Sequence, residues 1–332
     1  MSGFPKNDNM ETQANELAKQ LIDTITLTEV TEQVSDKLAQ PTHPFHTQFR
    51  VFEGQSHDYV GQRIFGGQVL AQALMAAAQT VEDGEGVQKP CHSFHGYFLR
   101  GGDINQPVLY QVQSLRDGRS LSARRVTAIQ YQEDETDELT EQVIFSMIGS
   151  FAPYEDGLDY QPQMPVYPPP EDLLTEQELK DQVVGKIPEA LKARFMRQRH
   201  VEIKPVKPRD PIHPESMTPK QANWLRIKDL KELGQQSVAA QQALLAFSSD
   251  FYLVGTGLMS HGISFMTKGL QAASIDHSMH FHRSFDLDDW LLYDMWSDNT
   301  AQAKGLNHGQ FWQDGNLVAT VQQEGLMRLR MK

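Results

Sequence analysis

Hydrophobic and polar positions along the chain fall into two similar series, each with one apolar helix followed by consecutive strands. The spacing predicts a glycine-opened helix over residues 65–81 and a second helix over residues 235–254. Alternation and a high β-branched and aromatic content predict strands over residues 47–54, 92–100, 107–118, 121–132, 142–152, 223–230, 275–285, 290–299, 305–315 and 317–328. Asp314-Gly315 predicts a two-residue hairpin between the last pair. One helix with a run of strands, found twice, indicates an α+β fold with each helix on an antiparallel sheet, not a doubly wound parallel sheet.

The distribution of proline predicts where the two series are joined. Of the 17 prolines, 12 fall between Pro153 and Pro219, which favours an extended connector containing one helix, in residues 175–184 or 189–199. The predicted organisation is an N-terminal helix and loop at 1–44, a first domain at 45–155, the connector at 156–219 and a second domain at 220–332.

Composition narrows the classes of function and location. The net charge of -13 argues against general binding to nucleic acid or to an anionic membrane, because both need a positive field. We find no apolar run near the roughly 18 to 20 residues that cross a bilayer, and no signal-peptide pattern. Cys91 is the only cysteine, which fits a reducing compartment, so we expect a cytoplasmic protein. The acidic run at residues 133–141 is interpreted as a solvated hairpin tip.

An acidic residue interrupts the apolar stripe of the second predicted helix. Ala243, Phe247, Asp250 and Val254 share one side of that helix, so Asp250 points along an apolar face. Burying a carboxylate costs several kcal/mol unless partners or water reach it. Either Asp250 caps the helix end and faces solvent, or it is buried for a functional reason. When the two predicted helices are superimposed, Thr80 occupies the equivalent position, so the first half lacks the acid.

Histidines are concentrated in "SIDHSMHFHR" at residues 274–283, and "HSFHGYFLR" at residues 92–100 repeats part of that pattern. Strand alternation places Ser274, His280 and His282 on one face, and His277 on the apolar face, where we expect a packed histidine bonded to backbone. A His-x-His pair can bind zinc, but no third ligand is indicated by spacing. The sequence therefore predicts no metal and no cofactor, and the repeat is interpreted as a shared structural strand.

Six collinear segments resemble one known family over roughly residues 45–330. They are "RIFGGQVLAQAL", "HSFHGYFLR", "SLSARRVTAIQ", "RQRHVEIKPV", "IDHSMHFHR" and "VQQEGLMR". Together they closely resemble the bacterial acyl-CoA thioesterase II family, the TesB-type double hotdog thioesterases. The resemblance implies two fused hotdog domains, each a long helix packed on an antiparallel sheet. It also implies hydrolysis of fatty acyl-CoA to free fatty acid and coenzyme A, and a homodimer or homotetramer.

The resemblance also implies a catalytic set in the second domain. That family uses an aspartate, a threonine or serine, and a glutamine to activate water, and these fall here on Asp250, Ser274 and Gln323. A register error of one residue would replace Gln323 by Gln322, which alternation directs to the opposite face. A desolvated aspartate is a plausible general base, because desolvation raises its pKa. The oxyanion donor is left open, with backbone N–H groups near Gly257 or Gly262 as candidates.

Several aspects of binding and function stay open at the level of sequence. An apolar tunnel between helix and sheet is expected to hold the acyl chain. The coenzyme A phosphates have candidate partners among the basic residues Arg124, Arg125, Lys268, Arg283 and Lys304. One rival function is a hotdog hydratase or dehydratase that pairs Asp250 with His277 or His280. The other is an acyl-CoA binding protein without catalytic activity.

Overall fold

A computed structural model describes residues 8–34, 49–61, 63–82, 87–133 and 139–330. The helices are α1 (Asp8–Ile25), α2 (Thr31–Val34), α3 (Gly66–Ala78), α4 (Glu176–Val183), α5 (Glu189–Phe195), α6 (Val238–Ser249) and α7 (Leu253–Leu258). The strands are β1 (Thr28–Glu29), β2 (Phe49–Gly54), β3 (Cys91–Phe98), β4 (Val108–Asp117), β5 (Ser122–Glu133), β6 (Leu139–Phe151), β7 (Glu202–Pro205), β8 (Lys220–Arg226), β9 (Leu270–Ser274), β10 (Asp276–Phe281), β11 (Leu291–Ala301), β12 (Lys304–Gln313) and β13 (Asn316–Leu329). Short 3-10 helices cover Pro170–Asp172, Val184–Lys186, Leu230–Leu233 and Met259–His261. The predicted acidic hairpin tip falls between β5 and β6, and residues 134–138 of it lie outside the described residues.

The strands form one antiparallel sheet with two similar halves. Its order is β1-β2-β4-β5-β6-β3-β10-β13-β12-β11-β8-β7, and β9 pairs with β13 beside β10. The two copies of the repeated histidine motif lie at the seam, because β3 pairs directly with β10, with His277 opposite Gly96 and Ser278 opposite His95. The repeat is therefore the pair of adjacent strands that joins the two halves in the middle of the sheet.

The helices α3 and α6 pack against each other in the core of the protein. The N-terminus of α3 meets the C-terminus of α6 so closely that a Cβ at Gly67 would lie 2.3 Å from the backbone oxygen of Phe247. Only glycine permits this approach, because any side chain there would collide with backbone. Leu70 and Leu74 of α3 are fully buried in the core that the two halves share. The fold thus brings the two helix ends into contact, one from each half.

The structure confirms the predicted hairpin at Asp314-Gly315. The φ angles of Asp314 and Gly315 are 50° and 79°, the left-handed conformation that a tight two-residue turn of this kind requires at both positions. The connector differs from its prediction, because both candidate segments are helical, α4 and α5, not one of them. Thr175 and Glu178 form a capping box that explains the start of α4. β7 then adds a strand to the sheet edge beside β8.

One apolar stretch is longer than we expected from the sequence. Val238–His261, which includes α6 and α7, is long and apolar enough to cross a bilayer, judged by length and composition alone. The expectation that no run approaches this length was therefore wrong. In the structure 78% of its most apolar window is buried inside the protein, as in the central helix of a globular core.

Candidate active site

Asp250 lies where α6 ends, at the contact between the two halves. It is the C-cap residue of α6, and the helix stops because Tyr252, two residues later, adopts a left-handed backbone with φ of 67°. The carboxylate is partly buried and turns toward the sheet and α3. Of the two alternatives left by the sequence, the structure supports burial: Asp250 does end the helix, but its oxygens meet other side chains and a backbone N–H instead of bulk solvent.

The structure brings Asp250, Ser274 and Gln323 together in one hydrogen-bonded cluster. Nε2 of Gln323 donates to Oδ1 of Asp250 over 2.7 Å and to Oγ of Ser274 over 2.9 Å. The Ser274 hydroxyl donates to the same Asp250 oxygen over 3.3 Å. One amide thus fixes the carboxylate and the hydroxyl relative to each other, in a geometry that holds a small polar molecule at one defined place.

Ser274 reaches this cluster because of an irregularity in the strand. Ser274 pairs with Gly325 and Ser278 pairs with Gln322, so four residue steps on β9–β10 face only three on β13. The extra residue is a β-bulge, which reverses the alternation of side chains beyond it. The sequence prediction that Ser274 shares a face with His280 was therefore wrong. The bulge turns Ser274 inward toward α6 while His280 stays exposed.

The two neighbouring glutamines of β13 face opposite sides of the sheet. Gln323 is fully buried, whereas Gln322 is exposed and pairs with Ser278 at the seam. Gln323 lies directly opposite Asn307 of β12, which is also fully buried. Oε1 of Gln323 has no hydrogen-bond partner within the described part of the chain. The amide therefore has a free acceptor beside the groups that its Nε2 already holds.

A fourth group in the cluster comes from the first half and was missed by the sequence analysis. The backbone N–H of Gly67, in the first turn of α3, donates to Oδ2 of Asp250 over 3.0 Å. Phe65, the residue before that turn, gives no side-chain cap, so the carboxylate of α6 caps α3. A Cβ at Gly66 would lie only 2.7 Å from the same oxygen. The glycine pair in "RIFGGQVL", preceded by no capping residue, is the feature of the sequence that would have indicated an external anion.

Opposing effects act on the charge of Asp250. Burial raises the pKa of this carboxyl above its ordinary value, and it is the larger effect. The hydrogen bonds from Gln323, from the Gly67 N–H and from Ser274 lower the same pKa, because each favours the anion. The positive end of the α3 dipole acts in that direction as well. A base that is desolvated yet anchored in this way has a higher proton affinity than an exposed aspartate and a fixed orientation.

His277, at the seam between the two halves, stabilises the end of α6 beside the cluster. His277 is fully buried, and its Nε2 lies 2.9 Å from Oγ of Ser249, the residue before Asp250. The expected bond from His277 to backbone is therefore replaced by a bond to a side chain. Burial, with a smaller contribution from His95, lowers the pKa of His277 to about 3, so this ring is neutral at physiological pH. Tyr293 also donates its hydroxyl to the Ser249 backbone oxygen over 2.8 Å, so both residues hold the end of α6 in place.

The connector contributes a second support for the turn after Asp250. The Arg199 guanidinium lies 4.6 Å from the centre of the Phe251 ring and 5.4 Å from that of Tyr252. Nε of Arg199 donates to Glu176 over 2.6 Å, and the Tyr252 hydroxyl interacts with this pair. A left-handed backbone at a bulky residue costs on the order of 1–3 kcal/mol. These connector contacts offset that strain, and the pattern of the sequence gave no indication of them.

The structure removes Arg124 from the candidate phosphate ligands. Its side chain is buried and donates to Thr80, Ser114 and Asp117 on neighbouring elements. An arginine enclosed by its own partners cannot reach a ligand, so this proposed role was wrong. Arg283 donates to the backbone oxygen of Leu317 and to Asp159.

The other basic candidates lie at the surface. Lys268 is exposed, and Arg125 and Lys304 are partly exposed. The two glycines considered as oxyanion donors are closely packed. Gly257 lies against Asn307 and Met327, and Gly262 lies against residues 214–216.

Comparison with known proteins agrees with this arrangement. The sequence model of the acyl-CoA thioesterase family matches residues 190–326, and the model of the acyl-CoA thioesterase N-terminal domain matches residues 55–152. Acyl-CoA thioesterase 2 of Haemophilus influenzae is 38% identical over 279 residues, which are 84% of this chain and 92% of that protein. Human acyl-coenzyme A thioesterase 8 is 36% identical over 288 residues, 84% of this chain and 85% of the human protein.

Solved structures agree with the sequence comparisons. The crystal structure of an acyl-CoA thioesterase II from Mycobacterium marinum superimposes with a TM-score of 0.65 at 28% identity, covering 94% of this chain and 98% of that one. The duplicated helix-and-sheet architecture is therefore a double hotdog fold. Since both halves match in order and a relative of similar length is well above 30% identical, the chain belongs to the acyl-CoA thioesterase family.

Proposed function

We propose that this protein hydrolyses fatty acyl-CoA thioesters to the free acid and coenzyme A, with Asp250, Ser274 and Gln323 as its catalytic residues. The observation that carries the proposal is the cluster of an anchored carboxylate, a hydroxyl and a buried amide at the junction of α3, α6 and β13. The family supports the substrate class, since its members similar to this chain are named acyl-CoA thioesterases.

The chemistry requires a water molecule with defined orientation and a base to accept its proton. Asp250 takes the proton as the water oxygen bonds to the thioester carbonyl carbon. The second O–H of that water needs an acceptor, and the unpaired Oε1 of the buried Gln323 can provide it. With both hydrogens held, a lone pair of the water points toward the carbonyl, which is the orientation that attack requires.

The tetrahedral intermediate must then be stabilised and must lose its thiolate. The N-terminus of α3 brings a partial positive charge to this place, and its Gly67 N–H already holds the Asp250 carboxylate. A developing oxyanion beside that carboxylate is stabilised by the same field. When the carbonyl re-forms, the C–S bond breaks and the coenzyme A thiolate leaves, taking up the proton that Asp250 received.

The hydratase alternative needs a histidine that exchanges protons beside Asp250. His277 bonds to Ser249 and is held neutral by burial, which lowers its pKa to about 3. His280 is exposed on the opposite face of the sheet. Neither ring is in place to act as the acid partner, so water activation is the function that this geometry favours.

The cellular setting and the oligomeric state extend the proposal. We propose that the protein acts in cytoplasmic fatty acid metabolism, because its one cysteine, Cys91, is buried as a free thiol, as expected in a reducing compartment. We also propose a homodimer or homotetramer formed through the outer face of the sheet. On that face Tyr97 and Ile148 are 48% and 47% exposed on the neighbouring strands β3 and β6.

Release of free thiol from acyl-CoA substrates tests the proposed reaction. Wild-type protein should release coenzyme A, measured with a thiol reagent, and Asp250→Asn should lower the turnover number by at least about 10²-fold, the scale of a lost general base. Asp289→Asn is the matched control, since that carboxylate is 70% exposed and pairs with Lys231, outside the cluster around Asp250. Near-normal turnover by Asp250→Asn would refute the assignment, and no thiol release by the wild type would refute the function.

A further inference from the structure

Beside the catalytic cluster, a row of residues on β12 and β13 faces α7. Gln323, Gly325 and Met327 alternate onto the same side of β13, and Asn307 and Gly305 lie directly opposite Gln323 and Gly325 on β12. Paired residues of an antiparallel sheet point to the same face, so the row is continuous from the catalytic amide toward the end of β13. We call it the glycine groove.

Glycines leave a space between the sheet and α7, and Met327 fills it. A Cβ at Gly305 or at Gly257 of α7 would lie 2.6 Å or 2.7 Å from Cε of Met327. A Cβ at Gly325 would lie 2.8 Å from Val254, which covers the inner part of the groove. The filling is thus one flexible, unbranched side chain between glycines on both walls, and such a side chain can change rotamer without moving backbone.

The groove contains a buried hydrogen-bond acceptor with no partner. Nδ2 of the fully buried Asn307 donates to the backbone oxygens of Gly305 and Gln323, both over 3.2 Å, which fixes the orientation of the amide. Its Oδ1 then points into the groove, 2.9 Å from the position that a Cβ at Gly257 would occupy, and has no partner among the residues described. A buried acceptor in this state favours any ligand that brings an N–H donor.

From these observations we infer that the glycine groove binds the pantetheine arm of coenzyme A, with Asn307 as acceptor for one of its amide N–H groups and Met327 displaced on binding. The inference rests on the proposed function, and it names the part of the substrate that this site takes. A fatty acyl chain has no N–H donor, whereas the pantetheine arm has two. The five residues from Gln323 to Met327 span about 13 Å of strand, a length that suits an extended arm.

Binding of coenzyme A itself tests the inference without depending on turnover. In the intact protein, Asn307→Val should raise the calorimetric Kd for coenzyme A and the inhibition constant of free pantetheine at least about tenfold, as expected for one lost hydrogen bond to a ligand. Met327→Trp should fill the groove and weaken coenzyme A binding at least about 100-fold. Met327→Ala removes the filling and should bind coenzyme A at least as tightly as the wild type.

Leu326→Trp is the matched control, because Leu326 lies on the same strand but on the opposite face. Its coenzyme A affinity should equal that of the wild type. If Met327→Trp binds coenzyme A normally and instead loses only long-chain substrates, the groove holds the acyl chain and the inference is refuted. Equal weakening in both tryptophan variants would also refute it. Groove-dependent binding of coenzyme A without thiol release would refute the proposed function alone.

Discussion

At the scale of single residues, neighbouring side chains of the same chemical type have different positions relative to the site. Gln322 and Gln323 are adjacent in the chain, yet one is exposed at the seam and the other is buried against Asp250. Ser249 and Asp250 are also adjacent but differ in role. Ser249 has a structural role, since His277 and Tyr293 bond to it, whereas the Asp250 carboxylate is the proposed base. For two residues of the same type, the proposed role therefore depends on which face of the sheet each one occupies.

The two glutamines provide a matched pair of variants. Gln323→Ala removes the donor to Asp250 and Ser274 together with the free acceptor for water, so kcat should fall by about 10²-fold or more. Gln322→Ala removes an exposed side chain from the same strand and should leave kcat within about twofold, as surface substitutions usually do. Thiol release by the two purified variants makes the comparison. Equal losses in both would contradict the assignment of Gln323.

The raised pKa of Asp250 predicts the pH dependence of activity. The proposed base works only as the anion, so kcat/KM should rise with pH through the pKa of Asp250, and this acid limb should lie above the ordinary aspartate value of about 3.9. Because the folded-state pKa is raised, the neutral form favours folding at low pH, and that contribution is lost as pH rises through the folded pKa. Residual activity in Asp250→Asn should lack the limb, and an unchanged limb there would assign it to another group.

At the scale of elements, the site depends on where one helix ends and another begins. α6 stops at Asp250 because Tyr252 is left-handed, and α3 begins at Gly66 without a side-chain cap of its own. A β-bulge between β9 and β10 then turns Ser274 toward the same point. A left-handed turn, an uncapped helix start and a β-bulge thus meet at one place. Each departs from regular secondary structure, and together they position the cluster around Asp250.

Gly66→Ala tests the contact between the two helices. Its Cβ would lie 2.7 Å from Oδ2 of Asp250, so the carboxylate must move away from the hydrogen bonds that orient it. We expect kcat to fall by at least about tenfold with a smaller change in KM, as for a displaced catalytic group. Gly185→Ala is the control, since a Cβ there meets no atom within 4 Å. If Gly66→Ala keeps full activity and a normal midpoint of thermal unfolding, the Asp250 carboxylate needs no fixed position.

At the scale of the whole molecule, the proposed active centre is assembled from both halves of a duplicated chain. The second half supplies the carboxylate, the hydroxyl and the amide, and the first supplies the N-terminus of α3. At the position equivalent to Asp250, the first half has Thr80, whose hydroxyl instead accepts a hydrogen bond from the buried Arg124. The first half therefore acts as the structural partner of the second, joined to it through the β3–β10 seam.

This division predicts the behaviour of separated halves. Residues 156–332 alone should be inactive, because they lack the Gly67 N–H and expose β10 and the face of α6 that α3 covers. Co-expression of residues 1–155 with residues 156–332 as two chains should restore thiol release, since the seam and the helix contact need no covalent link. Activity of the second half alone, measured on the purified fragment, would contradict a role for α3.

The sequence by itself determined the larger part of this protein: two series of helix and strands, the Asp314-Gly315 hairpin, and the resemblance that selected Asp250, Ser274 and Gln323. These features depend on periodicity and local conformational preference, which are properties of adjacent residues. Only the tertiary structure decided which face Ser274 occupies, that Arg124 is enclosed by its own partners, and that Asp250 caps α3 by accepting from the Gly67 N–H, 183 positions away in the chain. Such contacts join residues far apart in the chain, and no local pattern records them, because they form only when the two halves pack against each other.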